Sequence, residues 1–208
     1  LAVAIGQSVL AADVVITDPF VRDAVAKQLK KPTGRFAPPV KFTKLELAKV
    51  TYLPLYDTKI TGAGLKDIAK LQNLTFLVLV RTNITDADLK EVGVAKLQNL
   101  TYLDLASTKI TDVGLNEIAK MQKLTKLYLS NTKITNAGLK DIAKLQNLTF
   151  LDLTNTKITD AGLGDIAKMQ NLTHLYLYNT KITNENAAEL RKALPKLKKF
   201  GHSYYKAD

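Results

Sequence analysis

From residue 50 almost to the end of the chain, leucine and other aliphatic residues fall on one fixed frame. The frame reads L-x-x-L-x-L-x-x-T-x-I-T, and its first positions are Val50, Leu74, Leu100, Leu124, Leu148 and Leu172. Successive starts lie 24, 26, 24, 24 and 24 residues apart, and a truncated seventh unit begins at Leu197. Self-similarity at a period of this length marks an array of stacked supersecondary units. Only the second unit departs, through about two extra residues around Gly93-Val94. Leu74, Leu77 and Leu79 keep the frame, so the surplus is assigned to the side away from the strands. A bulge or break of that unit's helix is predicted near Val92–Val94.

Within each unit the L-x-L step, as in Leu103/Leu105, Leu127/Leu129 and Leu151/Leu153, has the period of two that sends both leucines to one face of a short strand. Thr-x-Ile-Thr then turns the chain. The following D-A-G-L-x-D-I-A-K places Leu163, Ile166 and Ala167 at helical spacing, so a short helix is predicted opposite the strand. Thr159 is placed to N-cap it, with Asp160 in the first turn and Lys168 in the last.

This frame resembles the leucine-rich-repeat family over residues 50 to about 200. I-T-D-x-G-L-x-x-I-A is similar to the cysteine-containing subclass, with Thr58, Thr82, Thr108, Thr132, Thr156 and Thr180 where that subclass carries Cys and others carry Asn. A Thr hydroxyl can satisfy neighbouring loop backbone, so this column is read as structural. The resemblance implies an α/β fold: a right-handed leucine-rich-repeat solenoid with a concave parallel β-sheet, convex short helices and a helical N-terminal cap. It also implies protein binding. No segment before residue 50 looks like the recruiting box of ubiquitin-ligase adaptors of the cysteine-containing subclass.

One unit cannot bury its leucines alone, so the ends of the stack need caps. Thr17-Asp18-Pro19 opens a helix predicted through Lys30, with Phe20, Val21, Ala24, Val25 and Leu29 as its apolar set. A Pro/Gly-rich loop follows over 31–39, and Thr43-Lys44-Leu45-Glu46 is a capping box for a second short helix. The run Glu46-Leu47-Ala48-Lys49-Val50-Thr51-Tyr52-Leu53 closes an arrangement that resembles the cap of bacterial internalin-type proteins. At the other end, Asn184 to Pro195 reads as a longer helix stopped by proline. His202 takes an inward position in the last half-repeat. The organisation read from the chain is 13–49 helical cap, 50–196 six repeats and 197–208 C-terminal half-repeat. Residues 1–12, LAVAIGQSVLAA, resemble the tail of a secretory signal peptide or form an ordinary N-terminal arm. The first alternative implies a secreted or periplasmic protein, the second leaves the cytoplasm open.

Composition adds exclusions. Cysteine is absent, which removes disulfides, thiolate metal sites, a cysteine nucleophile and a lipidated-cysteine anchor. There is no apolar run long enough to span a bilayer. The formal charge of +11, from 30 Lys+Arg against 19 Asp+Glu, permits an acidic partner, a nucleic acid or an anionic surface.

The residues beside the strand leucines form the predicted binding face, read in columns. The first holds Tyr52, Phe76, Tyr102, Lys126, Phe150 and His174. The second holds Pro54, Val78, Asp104, Tyr128, Asp152 and Tyr176, and the third Tyr56, Val80, Ala106, Ser130, Thr154 and Tyr178. These columns take eight of the aromatic residues, of 8 Tyr and 6 Phe in the chain. Large rings on a solvent face mark an interface, and Tyr is a favoured hot-spot side chain. The alternative is that the rings only stabilise the sheet through cross-strand pairs. A second column, Lys59, Lys109, Lys133, Lys157 and Lys181, recurs just after the Thr, with Asn83 breaking the line. It reads either as a solvated edge or as a rail for an anionic polymer, an acidic glycan, lipopolysaccharide or nucleic acid. The helix-end pairs Asp67/Lys70, Glu117/Lys120, Asp141/Lys144 and Asp165/Lys168 are accounted for locally.

Chemistry is sparse. Asp104 and Asp152 share a column two strands apart, about 10 Å, beyond a retaining glycosidase pair and at the outer limit for an inverting one, and Tyr128 stands between them. His174 beside Asp152 has no Ser or Cys nucleophile to complete a dyad, and the face is open to water. No phosphate loop or metal-ligand cluster appears, so no cofactor and no enzymatic activity are expected. Scarce arginine and the two aspartates argue against nucleic acid as the partner.

Overall fold

The computed structural model describes residues 13–34, 40–92 and 96–202. The signal-like segment, the tip of the Pro/Gly-rich loop, the insertion at Gly93-Val94 and the end of the chain lie outside the described residues.

Seven strands follow in sequence order in one parallel sheet: β1 Tyr52–Pro54, β2 Phe76–Val78, β3 Tyr102–Asp104, β4 Lys126–Tyr128, β5 Phe150–Asp152, β6 His174–Leu177 and β7 Lys199–His202. Each repeat pairs with the next at the same frame position, so Leu53, Leu77, Leu103, Leu127, Leu151 and Leu175 form one row. That row, the first-position residues and the Ile60, Ile84, Ile110, Ile134 and Ile158 row are all buried. The core is therefore one continuous apolar column that no single repeat could close.

Helices return the chain on the far side: α3 Gly62–Ile68, α4 Asp86–Val92, α5 Asp112–Ile118, α6 Asn136–Ile142, α7 Leu163–Ile166 and α8 Asn184–Ala193. After α4, Leu97 is buried again. Before the first repeat stand α1 Pro19–Gln28 and α2 Lys44–Leu47. Helix α1 is capped by Asp18, whose carboxylate accepts from the Phe20 and Val21 amides. It ends earlier than the sequence suggests, because Lys30 takes a left-handed conformation at φ 54° just past the Leu29 cap. Val21, Val25 and Ala26 are its buried residues, and Phe20 instead reaches the surface. Both bonds of the Thr43–Glu46 capping box form on α2.

Polar ladders run beside the core. Each frame Thr donates its hydroxyl to the carbonyl three residues back, from Thr58 to Leu55 through Thr180 to Leu177. Thr75, Thr101, Thr125, Thr149 and Thr173 donate to the corresponding Thr carbonyl of the preceding repeat. Gln72, Gln122, Gln146 and Gln170 close helix ends by donating to Ala69, Ala119, Ala143 and Ala167. Among the described residues no buried side-chain polar atom lacks a partner.

The unit at Thr159 departs from its expected form. Its helix begins as a 3-10 turn over Asp160–Gly162, and the Thr159 hydroxyl makes no cap bond. That hydroxyl instead accepts from Asn136 Nδ2 at 2.8 Å, whereas Thr111 and Thr135 cap through their hydroxyls. Gly164 weakens the helix further. A Cβ at Gly164 would meet nothing within 4 Å. Gly164→Ala is thus expected to stabilise the fold by about 0.5–1 kcal/mol, read as a higher urea midpoint at unchanged slope. At Gly138 the same change would press on Leu115 Cδ1 at 2.5 Å and the Asp112 backbone at 3.2 Å, and should destabilise.

Candidate binding face

The leucines of each strand point inward, so the alternate residues cover the opposite, concave face of the sheet. With parallel strands spaced about 4.8 Å apart, side chains at equal frame positions stand close enough to touch. Seven rings join into one ladder, Tyr52–Phe76–Tyr102–Tyr128–Phe150–Tyr176–Tyr178, with centroid separations of 4.8, 3.6, 5.1, 4.4, 5.4 and 6.2 Å. His174 stacks beside Phe150 at 5.7 Å, and its Nδ1 lies 2.8 Å from Thr173 Oγ1.

The rings are less exposed than the column pattern suggests. Tyr52, Tyr56 and Tyr178, at the two ends, are exposed at 45%, 59% and 43%. Phe76, Tyr102, Tyr128, Phe150, His174 and Tyr176 are half-buried against one another. Their mutual stacking is the cause, and it also gives the sheet cross-strand stabilisation. At the C-terminal end Tyr176 and Tyr178 lie directly over Gly201, where a Cβ would come within 2.6 and 2.5 Å of the two rings. At the other end Tyr52, Pro54 and Tyr56 meet Ala24, Lys27 and Gln28 of α1 around a cleft of about 380 Å3. The cap helix therefore forms one wall of the face, a feature that the repeat pattern cannot show.

Asp104 and Asp152 flank Tyr128 on neighbouring strands and are half-buried. Each accepts at Oδ1 from a loop amide, Ala106 N at 3.0 Å and Thr154 N at 2.9 Å. Burial raises the Asp104 carboxyl above its ordinary range, the Ala106 amide opposes this, and the Asp152 charge adds to it. Burial likewise raises the Tyr102 and Tyr128 hydroxyls. Interaction between the two hydroxyls raises Tyr102 and lowers Tyr128, and the two aspartates raise Tyr128 further. Lys126 is exposed.

Lys59, Lys109, Lys133, Lys157 and Lys181 all stand exposed along one edge, with no carboxylate within 4.0 Å among the described residues. Backbone bonds from Lys109, Lys133, Lys157 and Lys181 to Ile84, Ile110, Ile134 and Ile158 hold that edge in register. Next to it runs a column that the sequence reading passed over: Asp57, Arg81, Ser107, Asn131, Asn155 and Asn179, all left-handed with φ between 53° and 57°. Asn and Asp tolerate that conformation, so their recurrence two residues before each Lys was a readable signal. Arg81 pairs with Asp57, and Asn155 donates to Asn131 at 2.7 Å.

The match to known proteins agrees with this architecture. The family described as leucine-rich repeat region matches residues 37–204. The chain belongs to the leucine-rich-repeat family. Among solved structures, this leucine-rich-repeat chain is similar to internalin C2 from Listeria monocytogenes, at 28% identity and a TM-score of 0.65, covering 91% of this chain and 87% of that one. No curated protein sequence matches it. Among the described residues no helix is long and apolar enough to cross a membrane, and no group of His, Asp or Glu is arranged to hold a metal ion.

Proposed function

We propose that this leucine-rich-repeat chain is a non-catalytic module that holds a protein partner on the aromatic concave face of its sheet. The continuous seven-ring ladder carries the reading. Tyr offers contact area with few rotors to freeze and a hydroxyl to orient a polar partner, and flanking rings already exclude water from one another. The half-buried central rings need only a partner surface above them to become fully desolvated. Membership of the family and the likeness to internalin C2 support a protein-interaction role. Secreted or periplasmic residence is part of the proposal and rests on residues 1–12 alone.

A second reading has its own observation, the row of lysines without carboxylate partners. Four of these like charges, Lys109, Lys133, Lys157 and Lys181, stand on successive units about 4.8 Å apart, repel one another and would gain from an anionic polymer along the edge. One experiment separates the two. Pull-down from host or periplasmic extract is compared for the wild type, for Tyr102→Ala/Tyr128→Ala/Tyr176→Ala, and for Lys109→Gln/Lys133→Gln/Lys157→Gln, with folding checked by circular dichroism. The expected result is that affinity for the captured protein falls at least about 100-fold in the tyrosine variant and little in the lysine variant. Equal capture by wild type and tyrosine variant would overturn the concave-face reading. Steep loss with salt, flattened by the lysine changes, would favour the polymer.

A further inference from the structure

Ring and charge alternate across the concave face. The register aligns Phe76, Tyr102, Lys126, Phe150 and His174 in one row and Val78, Asp104, Tyr128, Asp152 and Tyr176 in the next. Strands β3 and β5 therefore carry a ring followed two residues later by a carboxylate. Strands β4 and β6 carry Lys126 or His174 followed two residues later by a ring. The aromatic ladder crosses from row to row at each step, Tyr102 to Tyr128, Tyr128 to Phe150 and Phe150 to Tyr176. Asp104 and Asp152 are left on one side of the zigzag, and Lys126 and His174 on the other.

The two carboxylates are fixed and unneutralised. Their Oδ1 atoms are held by the Ala106 and Thr154 amides. Their Oδ2 atoms have no hydrogen-bond or ion-pair partner among the described residues, in a chain with a net charge of +11. Half-burial, of Asp104 between Val78 and Tyr128 and of Asp152 between Tyr128 and Tyr176, makes an unpaired carboxylate costly there and raises the gain from a cation brought in from outside. A guanidinium suits this frame, since it donates to a carboxylate while its plane lies on a ring. Two strand spacings separate the aspartates by about 9.6 Å. Residues i and i+7 on one face of a helix stand about 10.5 Å apart, and i and i+3 of a polyproline helix about 9.3 Å.

We propose that Asp104 and Asp152 are paired subsites for two cationic side chains, preferably arginines, on a polypeptide segment that lies across the strands along the aromatic ladder. The proposal rests on the concave-face reading and adds the chemistry of the partner: two bases about 10 Å apart on an otherwise apolar surface.

The test uses the full chain and a random dodecapeptide library displayed on phage, followed by titration of the enriched peptides as synthetic products. Asp104→Asn/Asp152→Asn keeps the Oδ1 acceptors for Ala106 and Thr154 and is checked for an unchanged melting temperature. The expected result is enrichment of peptides with two Arg or Lys three or seven residues apart. Their binding should fall about tenfold or more on replacing either peptide base by Gln, and about 100-fold on the double Asn variant. Enriched peptides without such a pair, or with one but bound equally by the Asn variant, overturn the cationic subsites. If that binding is still lost in Tyr102→Ala/Tyr128→Ala/Tyr176→Ala, the concave-face reading stands. Peptides whose binding responds to neither set of changes overturn both.

Discussion

Asp67→Ala is expected to lower the free energy of unfolding by about 2–5 kcal/mol, although the residue lies far from the binding face. Asp67 is only 1% exposed. Its Oδ2 accepts from Thr17 N at 2.6 Å, Thr17 Oγ1 at 3.0 Å and Asp18 N at 2.8 Å, and its Oδ1 from Lys70 Nζ at 2.5 Å. Lys70 also reaches the Val15 carbonyl at 2.6 Å. Asp18, held in this way, caps α1. One carboxylate on the first repeat thus fastens the helical cap, and its loss strands two backbone donors and a hydroxyl at a covered seam. Amide exchange should speed up in α1 before it does in β3–β6. Asp141→Ala is the control, because Asp141 occupies the same repeat position but among the described residues bonds to Lys144 alone, and a cost of about 1 kcal/mol or less is expected.

The acid limb should move with it. Burial alone would raise the Asp67 pKa, but Lys70, the Asp18 amide and Thr17 together outweigh burial and hold it below the ordinary value. A folded-state pKa below the unfolded one contributes stability that is complete above the unfolded value, about 3.9, and disappears as pH falls through the folded value. Asp67→Asn should therefore flatten the acid-induced loss of stability below about pH 4 and leave a constant offset at neutral pH. An unchanged acid limb in urea titrations at several pH values would refute this assignment.

The repeat frame made the sheet readable because each strand leucine meets its own equivalent in the next unit, so one periodic signal encodes both local structure and long-range contact. The Thr43–Glu46 box was readable because its two bonds join residues three apart. Asp67 was not. Its i,i+3 pairing with Lys70 accounts for its charge in the sequence, while its contacts with Thr17 and Asp18 cross about 50 residues and occur once, where nothing periodic points to them. Thr159 failed as a hydroxyl cap for a related reason, since Asn136 of the preceding repeat engages that oxygen first. On the binding face the columns identified the aromatic strands. That Tyr128 reaches Phe150 rather than an equivalent residue depends on ring size and rotamer, and this diagonal step is what separates Asp104 and Asp152 from Lys126 and His174.

The repeats also contain an internal exchange whose reversal gives the other large expected effect. At four junctions an Asp or Asn following the turn Thr accepts from the next turn's Thr amide: Asp86 from Thr111 at 2.9 Å, Asp112 from Thr135 at 2.8 Å, Asn136 from Thr159 at 3.0 Å and Asp160 from Thr183 at 2.9 Å. At three of them the next repeat makes room with a glycine, and a Cβ on Gly114, Gly138 or Gly162 would overlap the Oδ1 of Asp86, Asp112 or Asn136. At the junction that precedes these four, between the first and second repeats, the two residues trade places. Gly62 stands where the carboxylate would be, and Asp88 stands where the glycine would be. Asp88 Oδ2 accepts from Thr85 N at 2.8 Å and Thr85 Oγ1 at 2.6 Å, and its Oδ1 fills the space that a Cβ on Gly62 would need. Asp88→Gly alone should cost about 1–3 kcal/mol, from the unpaired Thr85 donors and a glycine inside α4. Gly62→Asp alone forces a second carboxylate into one site and should cost a similar amount. Gly62→Asp/Asp88→Gly recreates the arrangement of the other junctions, so its stability should return close to wild type, with a favourable coupling about equal to the sum of the two single losses in a urea-melt double-mutant cycle. Simple addition of the two losses would show that the carboxylate at this seam belongs to one repeat only, and that the two positions do not share a site.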